Sequence, residues 1–178
     1  MDLKVVRYEL GDGVATITLD RPERLNAYGV QMKKDLRAAW EMFLGDADAR
    51  VCILTGEGRA FCSGRDIKEQ DQGLMGNWAE YEKRTEIFHR QHAPISDKPV
   101  IAAVNGITAG AGNAMAFAAD LRIASEDAVF MWPELDTGVM AAPFYMSLEE
   151  CIPWAAAAWL FLSGESISGR RADRKSVV

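Results

Sequence analysis

The segment Val104–Asp120, VNGITAGAGNAMAFAAD, places three glycines within seven positions, at Gly106, Gly110 and Gly112. An apolar run, VIAAV, precedes it and a run of small apolar residues follows. Glycine inside a regular element costs roughly 0.5–1 kcal/mol relative to alanine, so three at one junction need a physical reason. One reason is a tight turn, or close packing of a helix on a strand. The other is a bare backbone whose N–H groups approach a ligand, backed by the open donors and the positive dipole end of a helix N-terminus. A second stretch has the same build: GRAFCSGRDIKE, Gly58–Glu69, follows the apolar run VCILTG and precedes helical residues. In an open α/β sheet, ligands collect at the carboxyl ends of strands. Two such loops side by side would aim two backbone N–H groups at one point. That is the geometry of an oxyanion hole, with donors about 2.7–3.1 Å from a developing negative oxygen.

Other chemistry is poorly supported. There is no Gly-x-x-x-x-Gly-Lys-Ser/Thr phosphate loop. GEGRAF begins like a dinucleotide fingerprint but lacks its third glycine, and in CSGR the place of a nucleophile elbow's first glycine is taken by Phe61. His89 and His92 lie three apart on an expected helix, but no Cys/Asp cluster completes a metal site, and they read as surface histidines.

The elements that must position these loops follow from hydrophobic period. LKVVRYEL and GVATITLD, alternating and β-rich, flank Gly11-Asp12-Gly13 and predict a hairpin. RPERLNAYG is a polar break. From Val30 to Leu44, apolar residues at Met32, Leu36, Ala39, Trp40 and Phe43 form a helical stripe, ended by Gly45-Asp46. RVCILTG and VIAAVN read as buried strands, with GRAFCSGRDIKE as a loop after the first of them. Trp78–Gln91 reads as a helix with a charged outer face. A helix is expected from about Gly110, then short strands at LRIAS and AVFMW, then mostly helix from about Met140, with ISGRRAD as a helix start. Strands alternating with helices give an α/β class with a mostly parallel sheet. With no repeat, linker or low-complexity segment, residues 1–178 read as a single domain.

Composition agrees. The 178 residues are 49% hydrophobic and 26% charged, as in a globular chain. A formal net charge of -6 offers no basic excess for a nucleic-acid partner. The cysteines, Cys52, Cys62 and Cys151, are odd in number and lie in or beside apolar runs, which fits a reducing compartment. The N-terminus lacks a signal-peptide pattern. The longest apolar run, Cys151–Leu162, has 12 residues and contains Pro153, too short for a membrane span. A cytoplasmic protein with no membrane partner is expected.

Four segments taken in order resemble the crotonase superfamily, the enoyl-CoA hydratases and isomerases, over about Val5–Asp173: TITLDRPERLNAY, ILTGEGRAFCSGRDIKE, KPVIAAVNGITAGAG and LSGESISGRRAD. The resemblance implies an α/β crotonase-like fold, the ClpP/crotonase spiral of repeated β-β-α units. It implies catalytic backbone donors at Arg65 and Ala111. The family usually has glycine at the second place, and alanine adopts positive φ less cheaply. No permanently bound cofactor is implied; coenzyme A enters as part of the thioester substrate. Ala27, Ser63 and Ile67 match backbone positions that hold the adenine, with Gly64 and Gly110 in the same binding surface. Arg24 and Lys68 are near enough to meet phosphates, or are plain surface charges.

Hydratases of the family hold two glutamates around one water. The first place is Ala114 here, after Asn113; the second is Glu134 in FMWPELDTG. A carboxylate amid Phe130, Met131, Trp132 and Leu135 is expected to be desolvated, with a raised pKa. The same residue also suits a helix start after Pro133. With one carboxylate, the resemblance leans toward moving a double bond from the 3,4 to the 2,3 position, with Asp66 or Asp136 as possible substitute acids. The alternatives are hydration, CoA-thioester hydrolysis, and a non-catalytic CoA-binding paralogue. Family members usually continue with helices that cover the acyl-CoA and build a trimer or a dimer of trimers. This chain is C-terminally short by comparison, either as a truncated sequence or as a short variant whose neighbour completes the site, so Trp154, Trp159, Leu160 and Phe161 are expected to be uncovered and to serve a homo-oligomer interface.

Overall fold

The computed structural model describes residues 2–71, 96–134 and 152–174. The first element is the expected hairpin: β1 (Val6–Gly11) and β2 (Val14–Leu19) pair antiparallel, with Gly11 opposite Val14. Asp12 and Gly13 both have positive φ, at 53° and 83°. That is the two-residue turn whose twist matches that of the strands. Alternation along β2 buries Ala15, Ile17 and Leu19.

Helix α1 (Val30–Gly45) lays Met32, Leu36, Ala39, Trp40 and Phe43 against β1 and β2, as its period predicts. Both of its ends are tied down from a distance. Glu69 Oε2 accepts the Val30 N–H at 2.6 Å, and Lys98 Nζ donates to the carbonyls of Phe43 at 2.9 Å and Asp46 at 2.6 Å. Each satisfies a helix-terminal group that has no intrahelical partner. Asp35 is buried on this helix and accepts the N–H groups of Lys4 and Val5, anchoring the start of β1.

Two sheets follow. One has the order β1-β2-β3-β5-β7, with β3 (Val51–Gly56), β5 (Val100–Val104) and β7 (Leu121–Ala124) all parallel to β2. The other has the order β4-β6-β8-β9, with β4 (Ala60–Cys62), β6 (Ile107–Ala109), β8 (Val129–Met131) and β9 (Ile167–Ser168). From β3 to β8, successive strands alternate between the sheets. β3 passes to β4 and then α2 (Ile67–Asp71), and β5 passes to β6 and then α3 (Ala111–Ala118). The chain thus advances as repeated β-β-α turns with one core, in which Phe43, Phe61, Phe130 and Phe161 are fully buried. Each contributes about 1.5–3 kcal/mol of burial.

Two expectations are corrected. GRAFCSGRDIKE is not all loop: it holds β4 and the start of α2. Nor are the four tail residues all uncovered. On α4 (Trp154–Ser163), Leu160 and Phe161 are 2% exposed, with Phe161 edge-on to Trp132 at 5.8 Å. Trp159 lies beneath the Arg171 guanidinium at 4.4 Å. Trp154 does stand in solvent. The helix start at ISGRRAD is α5 (Gly169–Arg174), where Ser168 Oγ accepts the Arg171 N–H. The expected helix Trp78–Gln91, and with it His89 and His92, lies outside the described residues, as do Leu135, Asp136 and Cys151.

Candidate active site

Three chain segments meet at one end of the second sheet. The first leaves β4 as Ser63-Gly64-Arg65-Asp66. It is held by the segment after β2, where a short turn at Pro22–Arg24 leads into Leu25 and Asn26, both at positive φ. Ser63 N–H donates to the Leu25 carbonyl at 3.0 Å, Tyr28 N–H to the Gly64 carbonyl at 2.7 Å, and Asp66 N–H to the Tyr28 carbonyl at 3.2 Å. Asn26 is fully buried and braces this segment. Its Nδ2 donates to the carbonyls of Glu57 and Ala60, and its Oδ1 accepts the Arg21 N–H.

The second segment leaves β6 as Gly110 and enters α3 at Ala111. Gly110 has φ 48° and ψ −114°, a conformation that L side chains rarely adopt. Ala111 is the first residue of the helix and is not among the residues at positive φ. The strain therefore falls on Gly110, and alanine at 111 costs nothing in backbone conformation. As the first helical residue it has an N–H with no intrahelical acceptor.

The third segment leaves β8 through Trp132 and Pro133 to Glu134. Phe130 and Trp132 are buried around it. Burial pushes the Glu134 carboxyl above the usual range, against the opposing effects of its own backbone N–H and the Arg65 charge.

The glycines measure how closely these segments approach. A Cβ added at Gly110 would stand 2.9 Å from Glu134 Oε1 and 3.9 Å from Gly64 Cα. One added at Gly64, whose φ is 93°, would stand 2.9 Å from the Ala109 carbonyl oxygen and 3.7 Å from the Ala111 nitrogen. Glu134, Gly64, Gly110 and the first N–H of α3 therefore share one small region. Such an arrangement can offer backbone donors to an oxyanion and a proton-accepting carboxylate to the same small group.

The other sequence-predicted residues surround it. Ala27 is buried, Ser63 is half-buried, and Ile67 and Lys68 are exposed beside them at the start of α2. Arg24 is not a plain surface charge: its Nη2 lies 3.4 Å from Asp66 Oδ1, while Arg21 Nη1 lies 3.0 Å from Asp66 Oδ2. Asp66 is unsuited to be a substitute acid. Burial alone would raise its pKa, but the Glu69 N–H, Arg24, Arg21 and the Lys68 N–H outweigh burial and hold it below the usual range. Ala114 is half-buried on α3 and brings no carboxylate. Among the described residues, no group of three or more His, Cys, Asp or Glu is placed to hold a metal. No described helix is long and apolar enough to cross a membrane.

Sequence reasoning missed the supports. Asn26 entered only as part of a motif. Arg21 entered the same way and Asn113 only as the neighbour of Ala114; their supporting roles carried no signal, because their partners lie 45 and 18 residues away.

The enoyl-CoA hydratase/isomerase family model matches residues 9–178. A probable enoyl-CoA hydratase of Rhodobacter capsulatus is 38% identical over 183 aligned residues, covering 100% of this chain and 68% of that protein. The (E)-benzylidenesuccinyl-CoA hydratase of Thauera aromatica is 36% identical, covering 97% of this chain and 68% of its own length. The crystal structure of an enoyl-CoA hydratase/isomerase from Mycobacterium paratuberculosis superposes with a TM-score of 0.84 at 32% identity, over 99% of this chain and 68% of that one. The loop sequences, the crotonase-like β-β-α spiral and these likenesses agree: the chain belongs to the enoyl-CoA hydratase/isomerase family.

Proposed function

We propose that this protein acts on an enoyl-CoA thioester through its enolate. The backbone N–H groups of Arg65 and Ala111 hold the thioester oxygen, and Glu134 carries the proton. The observation that supports this most is the approach of Gly110 to both Gly64 and Glu134 Oε1. It puts the two loops and the carboxylate within reach of one acyl group. Burial of Glu134 raises its proton affinity toward the range where a carboxylate can both take and return a proton.

With a single carboxylate, the reaction that balances most simply is isomerisation of a 3-enoyl-CoA. Glu134 removes a C2 proton, and the electron pair delocalises onto the thioester oxygen. That oxygen is stabilised by two donors, each worth about 10²–10³ in turnover. Protonated Glu134 then returns its proton at C4, leaving the double bond at C2–C3. Nothing is oxidised or reduced, and no water is consumed. Hydration of a 2-enoyl-CoA is the second reading, favoured by relatives that bear the hydratase name. Ala27, Ser63, Gly64, Ile67 and Gly110 would form the CoA-binding backbone and its surroundings. Lys68, and Arg24 reaching out from Asp66, would meet the phosphates. A homo-oligomer formed partly through exposed Trp154 belongs to the same proposal.

The test is incubation with a panel of 2-enoyl- and 3-enoyl-CoA esters, read by mass and by the ultraviolet absorbance that a conjugated 2-enoyl thioester has and a 3-enoyl thioester lacks. Isomerisation leaves the mass unchanged and moves the double bond, whereas hydration adds one water. Release of free CoA alone would favour a hydrolase. No change in any ester would favour a non-catalytic binder.

A further inference from the structure

Helix α3 carries one amide on an otherwise apolar buried face. Asn113 is 2% exposed. Its Nδ2 donates to the carbonyl of Met131, the last residue of β8, at 2.6 Å. Its Oδ1 is buried and accepts no hydrogen bond among the described residues. A buried acceptor left unsatisfied costs about 1–3 kcal/mol. Packing alone would be served as well by leucine, which has similar bulk and no orphaned oxygen.

The bond that Asn113 does make joins two parts of the site. Asn113 lies two residues after Ala111, in the first turn of α3, and Met131 lies three residues before Glu134. Strand β9 pairs with β8 only as far as Phe130, and Asn113 takes up the carbonyl of the next residue. We infer that Asn113 is a positioning residue: through the Met131 carbonyl it fixes the Glu134 carboxylate relative to the N–H donors at the start of α3. The inference rests on the proposed role of Glu134 as proton carrier. A carboxylate displaced by about 1 Å can lose on the order of 10²-fold in rate, so a tie of this kind has catalytic consequences without touching substrate.

The tie also governs how buried Glu134 is. Burial holds its carboxyl up, and among the described residues Arg65 is the charged group that opposes this. With Asn113 replaced, Met131 keeps its pairing with Ala109 on β6, but the 132–134 segment loses its tie to α3; burial of Glu134 is then expected to weaken and its carboxyl to titrate at lower pH.

The experiment uses Asn113→Leu and Asn113→Ser in the full chain. The Glu134 carboxyl is followed by ¹³C NMR titration, its signal assigned by its loss in Glu134→Gln. Turnover is measured on the ester panel. The expected result is a midpoint moved to lower pH in both variants, with kcat lowered about 10–100-fold and KM changed less than about threefold. An unmoved midpoint overturns the inference whether or not the protein turns over an ester. So does a loss confined to KM, or failure of both variants to fold, which would make the tie purely structural. Absence of turnover in the unsubstituted protein would instead sink the proposed function, and the titration would still decide the role of Asn113.

Discussion

Replacing Gly64 with alanine tests the central geometric claim, that the two glycine loops share one site. Gly64 has φ 93°, and its missing Cβ would lie 2.9 Å from the Ala109 carbonyl oxygen. A positive φ costs an L-residue roughly 1–2 kcal/mol. The carbonyl is backbone in the opposite loop and cannot rotate aside as a side chain would. Either Ser63–Asp66 or Ala109–Ala111 must shift by a few tenths of an ångström, and together these effects cost about 1–3 kcal/mol. In a chain of this size each kcal/mol lowers Tm by about 2–4 °C, so the loss is roughly 2–12 °C. That leaves the protein folded at room temperature. The effect on turnover is larger. On the proposed mechanism, parting the loops removes one of two oxyanion donors, an expected loss of about 10²–10³-fold. The control is Gly45→Ala, at the end of α1, where nothing lies within 4 Å of an added Cβ. It should melt at or slightly above the unsubstituted Tm, with full activity. Thermal unfolding and turnover of an active ester would be measured on the same preparations. A Gly64→Ala protein that melts with the control and keeps its turnover would refute the reasoning.

Glu134→Gln should lower turnover about 10²–10⁴-fold with little change in acyl-CoA affinity. Because burial raises the Glu134 pKa, the folded state binds its proton more tightly than the unfolded chain does, and the ionised form costs stability. The glutamine variant should therefore be no less stable at neutral pH, and its advantage should vanish as pH falls through the raised value; a lower Tm at pH 7 would contradict this. In the unsubstituted protein, kcat/KM should fall on the acid side as Glu134 protonates, and a flat acid limb would argue against a carboxylate base. Ala114→Glu should raise hydration of a 2-enoyl-CoA relative to isomerisation of a 3-enoyl-CoA, since a second carboxylate can orient water. An unchanged ratio, in a folded variant, would show that Ala114 does not face the acyl group. Burial pushes the thiols of Cys52 and Cys62 up to about 12, so neither should react with a thiol reagent in the native protein at neutral pH. Labelling of either without unfolding, read by peptide mass, would contradict their placement.

What the sequence determined by itself was whatever depends on near neighbours. The hairpin at Asp12-Gly13, the stripe of α1 and the buried strands β3 and β5 follow from alternation, period and turn chemistry within a few residues. Clustered glycines beside buried strands marked both loops, and the family resemblance pointed to Arg65, Ala111 and Glu134 within and beyond them. It could also flag Ala111 as a departure, but not weigh it, because the φ that needs glycine belongs to Gly110. The short strands β4, β6 and β9 were invisible, since two or three residues hold no period and become strands only by pairing across the second sheet. The reason for the three clustered glycines also lies in tertiary contacts. An added Cβ at Gly106 or Gly112 would collide with the Arg59 or Cys62 carbonyl, so those two serve close packing. Gly110 alone lies against the candidate base. The supports of the site, Asn26, the Arg21–Asp66 pair and Asn113, are long-range partnerships. Hydrogen bonds and ion pairs of this kind depend on atoms that the fold brings together, and no local pattern encodes them. Likewise Leu160 and Phe161 read as an uncovered tail until the fold packed them against the core beside Trp132, because burial belongs to the assembled surface and not to the run of residues that carries it.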